Sequence, residues 1–179
     1  MFQPDTQFLI DQWTGMARSP GVRAGVPARA DLEPERLAAR LPRAFLLERH
    51  GDEAVFRLAG SWLESFHGEP LKGTPFLDLW RTASRPLVAA GVAQTFREAR
   101  PVAIVALAGS LEAPIEVLLT PLRGASAQLD LVLGLYAPAG GFIMPVDASR
   151  LLTARVTVGV GEPGRPALTL AAVGGRRVA

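Results

Sequence analysis

Apolar residues recur at the helical period in two separate parts of the chain. Residues 7–16 and 85–99 each carry apolar side chains three or four positions apart, which is typical of one face of an amphipathic helix. Asp5 or Thr6 can cap the first of these helices, and Pro101 follows the second. The pattern therefore predicts one helix near the amino terminus and a longer one in the middle.

The stretch FRLAGSWLESFHGEPLKGTPFLDLW, residues 56–80, predicts short helices between these two. Ser61 precedes Glu64 by three positions, which is the spacing of a capping box, and Gly68 suits a helix end. Thr74 and Pro75 are suited to the start of a second short helix. We therefore interpret the glycines and prolines here as turns and caps rather than as a phosphate-binding loop.

Short apolar runs elsewhere are typical of β-strands. Residues 45–48 and 54–59 flank a glycine-containing turn and predict a hairpin. Three further strands are predicted at 102–107, 115–122 and 129–136. Several of them are apolar at consecutive positions, which indicates a sheet covered, at least in part, on both sides.

Breakers and changes of pattern divide the chain into three segments. We predict an N-terminal helical extension at residues 1–26, a main domain at 27–140 and a C-terminal extension at 141–179. Within the last segment, 151–160 is compatible with a helix or a strand, and the glycine- and proline-rich end is expected to be mobile.

Composition excludes several classes of function. The net charge is +2 with basic residues scattered along the chain, so no stripe for nucleic-acid phosphates is predicted. No stretch approaches the roughly 18 apolar residues of a membrane span, and no signal peptide precedes the first helix. We therefore expect a cytoplasmic protein that binds neither nucleic acid nor membrane.

Cysteine is absent, which excludes disulfides, thiolate-bound metals and a flavin–cysteine photoadduct. His50 and His67 do not share a helix face, so no metal site is predicted, and His67 is interpreted as a helix-end residue.

Two groups of side chains are candidates for a site. Glu116 lies within an apolar strand and needs water or a partner, for which Arg57 is one candidate; Asp78 is a second acid. The aromatic residues Trp62, Phe66, Phe76, Trp80 and Phe96 either line a pocket or pack in the core. The predicted ligand pocket thus comprises the five aromatic residues together with Arg57 and Glu116.

The order of elements resembles that of the PAS sensor fold. PARADLEPERLAARLPRAFLLE, FRLAGSWLESFHGEPLKGTPFLDLW, IEVLLTPLRG and LVLGLYAP, in this order over residues 27–138, resemble the proteobacterial PAS family of type 5. Ser61 stands where that family usually has threonine. The resemblance implies an α+β fold, a five-stranded antiparallel sheet with short helices across one face.

The resemblance also implies a sensory or regulatory module that is not an enzyme. Such modules bind a small molecule or a protein partner, and many form homodimers, so we expect signals to leave through the flanking segments. Phe8, Leu9 and Trp13 of the first helix are the predicted interface. The sequence does not identify a cofactor. The helix at 86–99 has no histidine that could bind haem as in some PAS sensors, which disfavours haem. The alternatives are a small α+β enzyme using Glu116 with Arg57 or Asp78, and an adaptor without a ligand.

Overall fold

A computed structural model describes residues 1–22, 25–109, 112–126, 128–142 and 150–161. The strands are β1 (Ala44–His50), β2 (Glu53–Ala59), β3 (Val102–Ala108), β4 (Ala113–Arg123), β5 (Leu129–Pro138) and β6 (Leu152–Gly159). The α-helices are α1 (Pro4–Ala17), α2 (Pro34–Leu37), α3 (Ser61–His67) and α4 (Arg85–Glu98). Short 3₁₀ turns occupy Arg29–Asp31, Ala38–Arg43, Phe76–Leu79 and Thr82–Ser84.

All six strands form one sheet in the order β2-β1-β5-β4-β3-β6, and every pair is antiparallel. The α+β class, the antiparallel sheet, the hairpin and the two long helices are confirmed. One more strand is present than the five expected, because the ambiguous stretch 151–160 forms β6 beside β3. The predicted extension at 141–179 therefore contributes to the sheet, while residues 162–179, expected to be mobile, lie outside the described residues.

Both faces of the sheet are buried, as the consecutive apolar residues of the strands predicted. Val117 and Leu118 are adjacent in β4, so their side chains point to opposite faces, and both are 0% exposed. The inner face packs against α3, the Phe76–Leu79 turn and α4. The outer face packs against α1 and the region around Leu37.

Helix α1 uses its apolar stripe to cover the outer face of its own sheet. Leu9 and Trp13 are 1% and 7% exposed, and the Trp13 indole N–H donates to the Pro121 carbonyl at 2.7 Å. Phe8 is half-buried beneath the guanidinium of Arg40, 3.8 Å from the ring centroid. The prediction that these residues present a partner interface is therefore wrong for Leu9 and Trp13. A helix of this length depends on packing, and the sheet supplies the apolar surface within the same chain.

The predicted capping box of α3 does not form. Gly60 occupies the cap position and Ser61 is already helical, without a side-chain cap hydrogen bond. A Glu64 carboxylate oxygen accepts from the Leu71 amide at 3.3 Å, and so holds the following loop. The helix ends as predicted at Gly68, whose φ of 80° lies in the left-handed region.

Gly134 allows the Phe45 ring to cross a neighbouring strand. A Cβ added at Gly134 would overlap the Phe45 ring, which lies directly over that position in the core. We predict that Gly134→Ala lowers the free energy of unfolding by about 1–3 kcal/mol, because the ring is enclosed and cannot move without strain. Urea unfolding of the purified variant measures this loss.

Gly15→Ala is the matched control, since Gly15 lies in α1 with nothing within 4 Å of its added Cβ. This control should raise the free energy of unfolding by about 0.5–1 kcal/mol, because alanine favours a helix over glycine. Equal stability of Gly134→Ala and the wild type would contradict the close approach.

Candidate functional site

Aromatic rings fill the space between the sheet and the inner helical layer. Phe45 and Phe56 from the β1–β2 hairpin contact each other at 5.4 Å between centroids, and Phe76 lies 5.8 Å from Phe45. Tyr136 of β5 meets Phe45 edge-on at 5.7 Å. All four are at most 2% exposed. Packing at these distances is typical of a protein core.

The structure brings the five predicted aromatic residues to this layer. Phe66, Phe76 and Trp80 are 0% exposed in the core, and half-buried Trp62 stacks on Phe66 at 5.4 Å. Phe96 lies at the edge of the layer on α4. Their side chains form the packed interior at positions where a ligand-binding wall was predicted.

Arg57 and Glu116 do not belong to this cluster. Arg57 is on β2, where its side chain is 45% exposed and pairs with Glu48 at 3.3 Å. Glu116 is on β4 and points to the outer face, where its carboxylate accepts from the Gln3 amide at 3.0 Å. Strands β1 and β5 separate the two residues across the sheet, and the strand register sets Arg57 level with Thr120 and Pro121, further along β4 than Glu116. The two side chains are therefore roughly 20 Å apart. Their inclusion in the pocket is therefore wrong: Phe56 beside Arg57, and Ile115 and Val117 beside Glu116, are the residues that face the inner layer.

Asp78 and Glu116 lie on opposite sides of the sheet. Asp78 lies in the Phe76–Leu79 turn on the inner side, is 50% exposed, and pairs with Arg85 at 3.3 Å. Neither Arg57 nor Asp78 converges with Glu116, so the site proposed for acid–base catalysis is not assembled.

An open groove of about 470 Å³ lies beside the aromatic layer, between α4 and the β1–β2 hairpin. We call it the α4 groove. Its apolar part includes Phe76, Val92 and Phe96, and its rim carries charges of both signs. The Arg49 guanidinium lies over the Phe96 ring, 5.3 Å from the centroid, where a cation is attracted to the π-face. The remaining lining residues are Asp52, Glu53, Ala54, Leu77, Ala89, Ala93 and Arg97.

A second groove, of about 750 Å³, lies on the outer face between α1 and the segment before α2. Leu9, Leu37 and Leu133 form its floor. Its charged side chains are partly engaged already: Glu33 pairs with Arg36 at 2.7 Å, and Asp31 accepts from the Ala28 amide at 2.8 Å.

His67 and Tyr136 form a buried polar pair that the sequence did not reveal. The His67 Nε2 atom lies 3.2 Å from the Tyr136 hydroxyl. Burial lowers the pKa of His67 to about 4; a hydrogen bond with the Arg150 backbone acts in the opposite direction, and the Arg150 charge lowers the pKa further. Burial also raises the pKa of Tyr136. Arg150 donates to the carbonyls of Ser65 and Phe66, so it also holds the end of α3. The prediction of His67 as a helix-end residue is confirmed, but its partner is distant in sequence and had no local signal.

The fold is an α+β domain in which a single antiparallel sheet carries short helices and an aromatic core on one face. A family model of type 5, described as PAS domain, matches residues 1–137. The chain belongs to the PAS domain family. The match begins at residue 1 and so includes α1, whereas the motif resemblance began at residue 27. PAS domains generally serve as sensory modules rather than as enzymes.

A structure search also finds a similar protein, described as a LOV protein from Rhodobacter sphaeroides. The identity is 18%, the TM-score is 0.44, and the match covers 55% of this chain and 60% of that one. No curated protein matches the sequence significantly. Within the described ranges, no helix is long and apolar enough to cross a membrane.

The buried His67 predicts a loss of stability in mild acid. Its folded-state pKa, about 4, lies below the ordinary value of 6.5, so protons bind preferentially to the unfolded chain. This contribution is complete above pH 6.5 and is lost as the pH falls toward 4. Between pH 8 and pH 5 the loss should be about 2 kcal/mol. Denaturant unfolding at the two pH values measures it.

The pH effect should depend on this histidine and not on the other. His67→Gln should be less stable at pH 8 but should lose about 2 kcal/mol less than the wild type on acidification, while His50→Gln should behave as the wild type. His50 is the matched control because its side chain is 62% exposed. An undiminished acid loss in His67→Gln would contradict the assignment.

Proposed function

We propose that this chain is a cytoplasmic sensory module that binds a small amphipathic molecule in the α4 groove and transmits the change through α1. The observation that carries this proposal is the open groove on the inner face of a PAS domain, lined by apolar side chains with charges at its rim. Such a composition, apolar walls with a few polar groups, is typical of small-molecule sites.

The groove supports a ligand with an apolar body and a polar end. Val92 and Phe96 offer apolar contact surface, while Arg49 and Arg97 lie at the rim with Asp52. Charges of both signs can orient a ligand that carries a charged or hydrogen-bonding group. The apolar part of the ligand would displace water from the floor.

Phe76 connects the groove to the rest of the aromatic core. It lies buried beneath the groove and contacts Phe56 at 5.9 Å and Trp80 at 5.7 Å between ring centroids. A ligand that shifts Phe76 must move closely packed neighbours, because cores have little free volume. The sheet that supports these rings carries α1 on its other face, which supports α1 as the element that reports occupancy.

An adaptor without a ligand is the second candidate. The fully buried rings of Phe45, Phe56, Phe66 and Phe76 favour it, because they occupy the interior between the sheet and its helices. In this case the module would act through a protein partner alone.

Native mass spectrometry of protein purified from its own host tests the α4 groove. We expect an additional mass on the wild type and its loss from Ala93→Trp, because an indole at this lining position would fill the groove. Ala90→Trp is the matched control: Ala90 is also exposed on α4 but is not a lining residue, so this variant should keep the mass. A wild type without added mass would favour the adaptor, and a mass retained by Ala93→Trp would place the ligand elsewhere.

The role of α1 predicts that its docking can be loosened without unfolding the sheet. Asp5 pairs with both Arg40 and Arg43 at 2.8 Å. Asp5→Ala should weaken docking by about 1 kcal/mol, which accelerates amide hydrogen exchange in α1 roughly fivefold and leaves exchange in β4 and β5 unchanged.

Asp11→Ala is the control for this exchange experiment, since Asp11 accepts only a hydrogen bond from Gln7 within the same helix among the described contacts. Its exchange in α1 should match the wild type. If Asp5→Ala accelerated exchange equally in α1 and in the sheet, α1 would not be a separable element, and its role as reporter would fail.

A further inference from the structure

The two edge strands of the sheet, β2 and β6, differ in how far other segments of the chain cover them. At the β2 edge, the Phe56 amide donates to the Thr74 carbonyl at 3.0 Å and the Gly73 amide donates to the Phe56 carbonyl at 2.8 Å. A loop therefore covers that edge. At the other edge, the first half of β6 is covered in a similar way: the Arg81 amide donates to the Leu152 carbonyl at 2.9 Å, and the Ala154 amide donates to the Ser84 hydroxyl at 3.0 Å.

The second half of β6 has an open edge. The Val160 amide donates to the Pro101 carbonyl at 2.8 Å, toward β3. Because antiparallel hydrogen bonding alternates along a strand, Val158 and Val156 also direct their backbone groups to β3, while Thr157 and Gly159 direct theirs away. Across the described ranges, no backbone or side-chain group bonds to these outward groups. Such an edge can pair with another strand.

Apolar side chains adjoin this open edge on the outer face of the sheet. Val156 and Val158 are 46% and 38% exposed, which is high for valine in a sheet, and half-buried Val105 pairs with Val156 across the strands. Half-buried Leu107 continues the row on β3. We call these four residues the β6 strip. Helix α1 packs on β4 and β5, so it leaves the strip uncovered.

We propose that the open half of β6 pairs with β6 of a second copy of this chain, in antiparallel orientation about a twofold axis at Thr157. This register sets Thr157 opposite Thr157 of the partner subunit, with their outward amides and carbonyls bonded reciprocally. The proposal concerns self-association and does not depend on a ligand in the α4 groove.

Self-complementarity of the strand is the reason for choosing a second copy. In this register Val156 faces Val158 of the partner subunit and Val158 faces the partner's Val156, so the two strips join into one apolar surface on the outer face. Arg155 is the bulged residue of β6, so regular pairing spans Val156 to Val158. The positive charges near this point are already paired within each chain: Arg155 with Glu112 at 3.6 Å, and Arg100, whose guanidinium lies against Gly159, with Glu98. Two six-stranded sheets then form one continuous sheet, and neither copy retains an open β6 edge.

Sedimentation velocity of the full chain over a concentration series tests the proposal. We expect a reversible dimer for the wild type. Val158→Lys should raise the dissociation constant of the dimer about tenfold or more, since it sets a lysine against a valine of the partner in each half of the interface. Leu58→Lys is the matched control, because Leu58 is 53% exposed on the opposite edge strand β2, and its dimer should be unchanged.

A second variant guards against a folding defect. Threonine is β-branched and suits a strand, and Val158 is 38% exposed, so Val158→Thr should keep the far-UV circular dichroism of the wild type. Its hydroxyl should weaken the apolar contact with the partner subunit, in the same direction as Val158→Lys. A wild type that is monomeric throughout the series would overturn the proposal, as would a dimer unaffected by both Val158 variants. A chain truncated after Gly161 that dimerises when the full chain does not would also overturn it, and would assign the edge to the chain's own C-terminal residues.

Discussion

The structure depends on one constraint: the central strands of the sheet are apolar on both faces, so both faces must be covered. Val117 and Leu118 illustrate it, since they are adjacent, point in opposite directions and are both fully buried. Removing either cover would expose a large apolar area to water. The inner face is covered by α3, the following turn and α4, and the outer face by α1. Helix α1 is thus part of the domain's packing, in accord with the family match that begins at residue 1.

The same constraint shapes the candidate site. Aromatic rings pack between the sheet and the helices of its inner face. The α4 groove lies at one side of these rings, between α4 and the β1–β2 hairpin. Phe76 lies between the groove and the closely packed rings of the core, with no solvent-exposed surface of its own. His67 and Tyr136 bury a polar pair in this layer, and the cost of charging that histidine connects the stability of the domain to pH.

Coverage of the sheet ends at β6. The loop at Gly73 and Thr74 protects the β2 edge, and the segment from Arg81 to Ser84 protects the beginning of β6, but the described chain supplies no partner for Thr157 and Gly159. Regular strands tolerate an exposed edge poorly, because their backbone groups and neighbouring apolar side chains can recruit another strand. Sensing at the α4 groove and association at β6 would thus use different parts of one sheet.

Periodicity along the chain was enough to locate the long helices, the hairpin and the buried strands, and the ordered motifs indicated a PAS domain. These signals are local, so they can be read without tertiary contacts. The sequence also placed the aromatic residues together. Three features depend on contacts between distant parts of the chain and so could not be read from the sequence: the filled aromatic core, the separation of Arg57 from Glu116, and the pairing of His67 with Tyr136. The docking of Trp13 on its own sheet and the strand at residues 152–159 also depend on tertiary contacts. An amphipathic stripe or a short apolar run predicts that its apolar side chains are buried, but it does not identify the surface against which they pack.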